Sequence, residues 1–168
     1  ILFQRSLENQ LHLLEQEEKD FNSVSKFLSY ADPIYALERS RRRGTHQDSP
    51  AVASGLNATL REVKAATKNL HQQTKLTRGQ YHFLSSAIDG QQEALKSVSE
   101  FYKGYDPLFT WWVTKPLNQL DSALQDYKIA LKDKIDPATL PKDDGSGIIG
   151  TPIGGAEITR LLQLEMIP

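Results

Sequence analysis

The sequence contains no cysteine, so disulfide bridges, thiolate zinc sites and cysteine nucleophiles are excluded and stability has to come from packing. It carries almost no net charge. Its 20 Lys plus Arg offset 21 Asp plus Glu, which leaves no global field to favour nucleic acid or an anionic membrane. No apolar run approaches the roughly 18 residues that a spanning helix needs, and no charged-then-apolar leader precedes the first helix. Neither nucleic acid nor a membrane is therefore expected among the partners. Period-two apolar alternation is missing over any useful length, which argues against a sheet of more than one or two short strands. No internal repeat of fixed period suggests a solenoid.

What remains is helical spacing. Phe3, Leu7, Leu14, Phe21, Val24 and Leu28 mark one face of a long helix ending before Asp32-Pro33, with polar Gln10 and Glu17 interrupting the seam. A short helix is predicted from Pro33 into the Arg39 to Arg43 cluster, followed by a loop over Gly44 to Pro50. Leu56, Leu60, Val63, Ala66, Thr67 and Leu70 form the stripe of a third helix that turns Arg61, Glu62, Lys64 and Lys68 to water. Thr77 caps a fourth, with Tyr81, Leu84, Ile88, Leu95, Val98 and Tyr102 on its apolar face until Gly104 and Asp106-Pro107 stop it. A fifth starts at Leu108, is expected to bend or break at Pro116, and runs through Leu131.

These readings give an all-α protein, an antiparallel multi-helix array with a Gly/Pro-rich loop before the last helix. Residues 1–135 form the helical domain, 136–155 the loop, and 156–168 the start of a helix that continues further. The chain opens on Ile1-Leu2-Phe3 and closes on Met166-Ile167-Pro168 directly after an amphipathic run, so both ends are expected to be cuts in a longer protein.

Candidate chemistry is sparse. Gly145, Gly147 and Gly150 match the spacing of a dinucleotide fingerprint, but Lys142-Asp143-Asp144 precedes them where a buried strand is required, and Thr151-Pro152 follows. His12, His46, His71 and His82 lie on different segments, and none forms the HExxH arrangement of a helical zinc peptidase. His82, beside Phe83 and Leu84, is expected to be a half-buried packing residue, and His12 and His71 to be solvated. Arg39, Arg41, Arg42 and Arg43, the one basic run, read as a charged helix end favoured by the C-terminal dipole and, less commonly, as a dock for a phosphate or an acidic partner. Asp143-Asp144 lies in a polar loop with nothing to desolvate it, so a raised pKa suited to acid catalysis is not indicated. Asn57-Ala58-Thr59 fits the N-glycosylation acceptor pattern of secreted chains, although it falls inside a predicted helix, and the compartment stays open. Phe109, Trp111 and Trp112 are the densest aromatic cluster, suited to a buried helix junction and, less commonly, to a substrate groove.

The C-terminal third adds a resemblance. Gly150-Thr151-Pro152-Ile153-Gly154, followed by Leu161, Leu162, Glu165 and Met166-Ile167-Pro168, resembles a segment of family eight-eight-five of the domains of unknown function. Trp112-Val113 with Pro116 and Leu117 is similar to the same family. The resemblance implies a large, mainly helical zinc-dependent peptidase or hydrolase related to the gluzincins, with its HExxH helix downstream of this segment. On that basis the chain itself holds no catalytic residue and no metal ligand. Zinc belongs to the intact parent, and the partners are the remainder of the parent chain and a peptide substrate. Gly150, Pro152, Ile153, Gly154, Trp111 and Trp112 are then candidate substrate-binding residues, and the chain is a scaffold and wall of the substrate cleft. The alternative is a helical protein–protein interaction module that binds a partner helix along the Phe3 to Leu28 seam.

Overall fold

A computed structural model describes residues 2–70, 74–140 and 153–164. Among them are six α-helices: α1 (Leu2–Val24), α2 (Asp32–Arg42), α3 (Ser49–Lys68), α4 (Arg78–Lys103), α5 (Pro107–Lys132) and α6 (Gly155–Leu164). Two single 3-10 turns, Ser25–Phe27 and Pro137–Thr139, complete the described elements. The all-α reading holds, and the described part of the chain has no strand. A parallel bridge between Leu76 and Ile135 ties the α3–α4 connection to the end of α5, through Leu76 N–H to the Lys134 carbonyl at 2.9 Å and Asp136 N–H to the Leu76 carbonyl at 2.9 Å.

Local sequence explains where the long helices begin. The Thr77 hydroxyl accepts from the Gln80 N–H at 3.1 Å, while the Gln80 side chain accepts from the Thr77 N–H at 3.0 Å, a complete capping box that opens α4. Asp106 opens α5 by accepting from the Phe109 N–H at 2.9 Å, with Pro107 at the first helical position. The α4–α5 hairpin is antiparallel. Tyr102 stacks on Phe109 with ring centroids 4.2 Å apart near the turn, Gln92 donates to Asp121 at 2.8 Å, and Lys128 reaches Asp89 further along.

The core lies between α2, α3, α4 and α5. Val63, Leu84, Ile88, Leu95, Val98, Val113, Leu120, Leu124 and Leu131 are fully enclosed aliphatic residues of these helices, and the start of α2 and the segment after α1 add Ile34 and Tyr30. Tyr30 and Tyr127 meet edge to face at 5.8 Å, and the Tyr127 hydroxyl donates to the Phe27 carbonyl at 3.0 Å. Burial pushes the Tyr127 hydroxyl up to about 12, and burial, followed by the neighbouring Tyr127 and Tyr35, raises that of Tyr30.

Three expectations are corrected. The first helix ends at Val24 and passes into a 3-10 turn rather than continuing to the Asp32-Pro33 boundary. Its apolar seam is largely uncovered, because only the last turn reaches the body: Val24 and Leu28 are buried, but Phe3 is 76% exposed and Leu14 61%. The fifth helix does not break at Pro116, which is itself buried, since Val113, Leu117 and Leu120 pack against the core on both sides of it. The last helix begins at Gly155, within the stretch read as loop, and Gly154 precedes it at φ 85°, a conformation glycine adopts without strain. Most of the Gly/Pro-rich loop, residues 141–152, lies outside the described residues.

Candidate functional site

The periodicity of α5 decides which aromatics are available to a ligand. Phe109, Val113, Pro116, Leu117 and Leu120 face the core, so Leu108, Trp111, Trp112 and Lys115, spaced three and four apart, face outward. The expected burial of the whole aromatic cluster at a helix junction is therefore corrected for two of its three members: Phe109 is 2% exposed, but Trp111 is 82% and Trp112 47% exposed. Trp111 projects between open clefts. One of about 600 Å³ runs along α3 past Asn57 and Arg61 and includes both tryptophans, Lys115 and Pro116. A second of about 570 Å³ continues along α5 with Lys64, Lys115, Asn118 and Gln119. A third of about 610 Å³ lies toward the α4–α5 turn, next to Lys103 and Tyr105.

A larger cleft of about 890 Å³ opens where the Ser25–Phe27 turn, the end of α3 and the start of α4 meet. Tyr127 and Leu76 form part of its lining, with Lys26, Glu62, Asn69 and Gln80 around it. Lys75, also on its wall, is held 3.2 Å from Asp136, whose carboxyl is kept below the usual range first by the Ala138 N–H and then by Lys75.

The remaining sequence candidates fall apart in space. Ile153 is 60% exposed and Gly154 is exposed, just before α6, and none of the clefts lined by Trp111 includes either of them. Gly150 and Pro152 lie outside the described residues, as do His71, Asp143 and Asp144. His82 is exposed, which corrects its expected role in packing: Phe83 and Leu84 take the inward positions and turn it to solvent. His12, expected to be solvated, is partly covered by α6 and lies 3.6 Å from Glu157. Among the described residues no group of three or more His, Asp or Glu could hold a metal ion, so these residues do not fit a zinc site. The Thr59 hydroxyl is buried and donates to the Gly55 carbonyl at 3.2 Å, so the Asn57-Ala58-Thr59 triplet has a packing role within α3.

Two polar features were missed in the sequence. Glu38 is only 7% exposed and binds Arg41 in a bidentate pair at 2.7 and 2.7 Å and Arg42 at 2.9 Å. The Arg41 hydrogen bonds hold its carboxyl down to about 2 against the opposing effect of burial, with Arg42 adding to the shift. The basic run is thus partly neutralised by its own helix, and the one signal for it was a Glu three and four residues before two arginines. Gln91 is fully enclosed, and neither its amide nitrogen nor its amide oxygen has a partner among the described residues. No family of known proteins, curated protein or solved structure matches this chain.

Proposed function

We propose that this chain is the non-catalytic helical part of a zinc-dependent peptidase or hydrolase, a scaffold that also supplies part of the wall of a substrate cleft. The supporting observation is the uncovered apolar surface on an otherwise well-packed helical body. From Phe3 to Ser23 only Asn9 and His12 are even partly covered, and Phe3, Leu7, Leu11, Leu14 and Phe21 stand 76, 48, 59, 61 and 47% exposed. A helix of this length, about 34 Å, presents far more apolar surface than α6 covers, and such surface marks a place where further polypeptide packs. The resemblance from Trp112 to Leu117 and from Gly150 to Glu165 supports reading that polypeptide as the remainder of a peptidase. Zinc and its water-activating Glu reside in that remainder. Trp111 and Trp112 are the cleft-wall residues best placed for an apolar substrate side chain.

A helical interaction module is the second reading, favoured by the same α1 face if its occupant is a separate chain. The two are separated by preparing the intact protein and this segment in parallel, measuring zinc by elemental analysis and hydrolysis of a peptide panel. The peptidase reading expects stoichiometric zinc and turnover in the intact protein and neither in the segment. An intact protein with no zinc and no HExxH sequence leaves only the interaction module.

A further inference from the structure

The sequence has a balanced net charge, but the groove between α3 and α5 does not. Arg61 and Lys64 on α3 and Lys115 on α5 line the two clefts that flank Trp111, and none of the three makes an ion pair among the described residues. Asp126, at the far end, is the one acidic residue in the lining of these two clefts. Between the cations sit the exposed indole of Trp111 and the amide side chains of Asn118 and Gln119, which can each donate to and accept from a peptide backbone.

We propose that this groove binds an extended acidic peptide segment, its carboxylates met by Arg61, Lys64 and Lys115 and an apolar side chain packed against Trp111. Three cations on the two walls against the single carboxylate of Asp126 at the far end give the groove a net positive charge, which selects an acidic ligand. An exposed tryptophan supplies a large apolar contact at small entropic cost. The paired amides favour a peptide over a bilayer surface, which offers no backbone to hydrogen-bond, and over single-stranded nucleic acid, which is read by successive stacked bases where this groove offers one projecting ring. The proposal rests on the cleft-wall reading only for calling the ligand a substrate; binding itself is a property of this chain.

The protein's two tryptophans, Trp111 and Trp112, are both at the groove, so tryptophan emission, excited at a wavelength where the six tyrosines do not absorb, reports on it alone. The segment is titrated with a synthetic peptide of alternating Glu and Leu and with its Lys-for-Glu counterpart, both free of aromatic residues. The acidic peptide is expected to shift tryptophan emission saturably and the basic one to leave it unchanged. Lys64→Glu combined with Lys115→Glu should weaken the acidic peptide about tenfold, while Lys132→Glu at the other end of α5 has no effect. Trp111→Ala should weaken binding of a fluorescently labelled acidic peptide followed by anisotropy. All four substituted residues are exposed, and circular dichroism confirms that each variant is folded. Equal response to both peptides, no saturable response to the acidic one, or indifference to the double reversal overturns the proposal. So does a response confined to phosphatidylserine vesicles or oligothymidylate. Failure here leaves a zinc-containing parent intact as a reading, and a parent without zinc leaves peptide binding intact.

Discussion

Replacing Gln91 by methionine should stabilise the protein. Gln91 lies on the inward stripe of α4 between Ile88 and Leu95, at 0% exposure beside neighbours at 0 and 1%. Its amide has no partner for either atom among the described residues, and a buried unpaired amide costs about 1–3 kcal/mol in mutational experiments. Methionine keeps the unbranched length of glutamine, so neither a large cavity nor a clash is introduced, and shape-conserving core exchanges cost below about 1.5 kcal/mol. The difference leaves a gain of about 1 kcal/mol, which for a chain of this size raises the melting temperature by roughly 2–4 °C. Urea unfolding followed by the far-ultraviolet circular dichroism of the helices measures it together with a thermal melt. An unchanged m-value with a higher midpoint supports the reasoning. A midpoint lowered by Gln91→Met means that the amide is paired in the folded protein and that the core was misread.

Two further outcomes follow from the helix ends. Because the folded-state pKa of Glu38 is held near 2, below its ordinary 4.5, the stability it contributes is fully present above about pH 4.5 and is lost as pH falls toward 2; Glu38→Gln should cost about 2 kcal/mol at neutral pH and flatten that acid limb, and a variant with the parent's acid profile would show the pairing to be unimportant. Thr77→Ala should destabilise by about 1 kcal/mol by opening the capping box of α4, with Thr77→Ser close to the original protein; equal melts for all three would mean that packing, not the cap, fixes the start of the helix.

The helical periodicity was readable wherever one face of a helix meets the core. Thr77 as the start of α4, Asp106-Pro107 as its boundary with α5, and the stripes of α3 and α4 were legible because cap chemistry and three- and four-residue spacing are local properties. The return bond from Gln80 and the capping of α5 by Asp106 came only with the structure. Gln91 could have been found the same way, since it falls three residues after Ile88 and four before Leu95. Its burial was obscured because a glutamine is read as exposed on composition alone. For Trp111 and Trp112 aromatic identity favoured a buried junction over a groove, whereas the phase set by Phe109, Val113 and Leu117 turns them outward. For α1 the apolar seam was correctly located, but periodicity shows only that a face is apolar, not what covers it. The clustering of Arg61, Lys64 and Lys115 around Trp111 depends on α3 and α5 lying side by side, a tertiary fact that spacing within either helix does not contain.

The central proposal is that α1 offers its uncovered apolar face to further polypeptide of a longer protein, and hydrogen–deuterium exchange over α1 tests it most directly. The amides of residues 3–23 are followed in this segment and in the intact protein under the same conditions, with α4 as the internal reference for a packed helix. The account predicts fast exchange over this stretch in the segment, where it lacks cover, and strong protection in the intact protein. Equally fast exchange in both would contradict it.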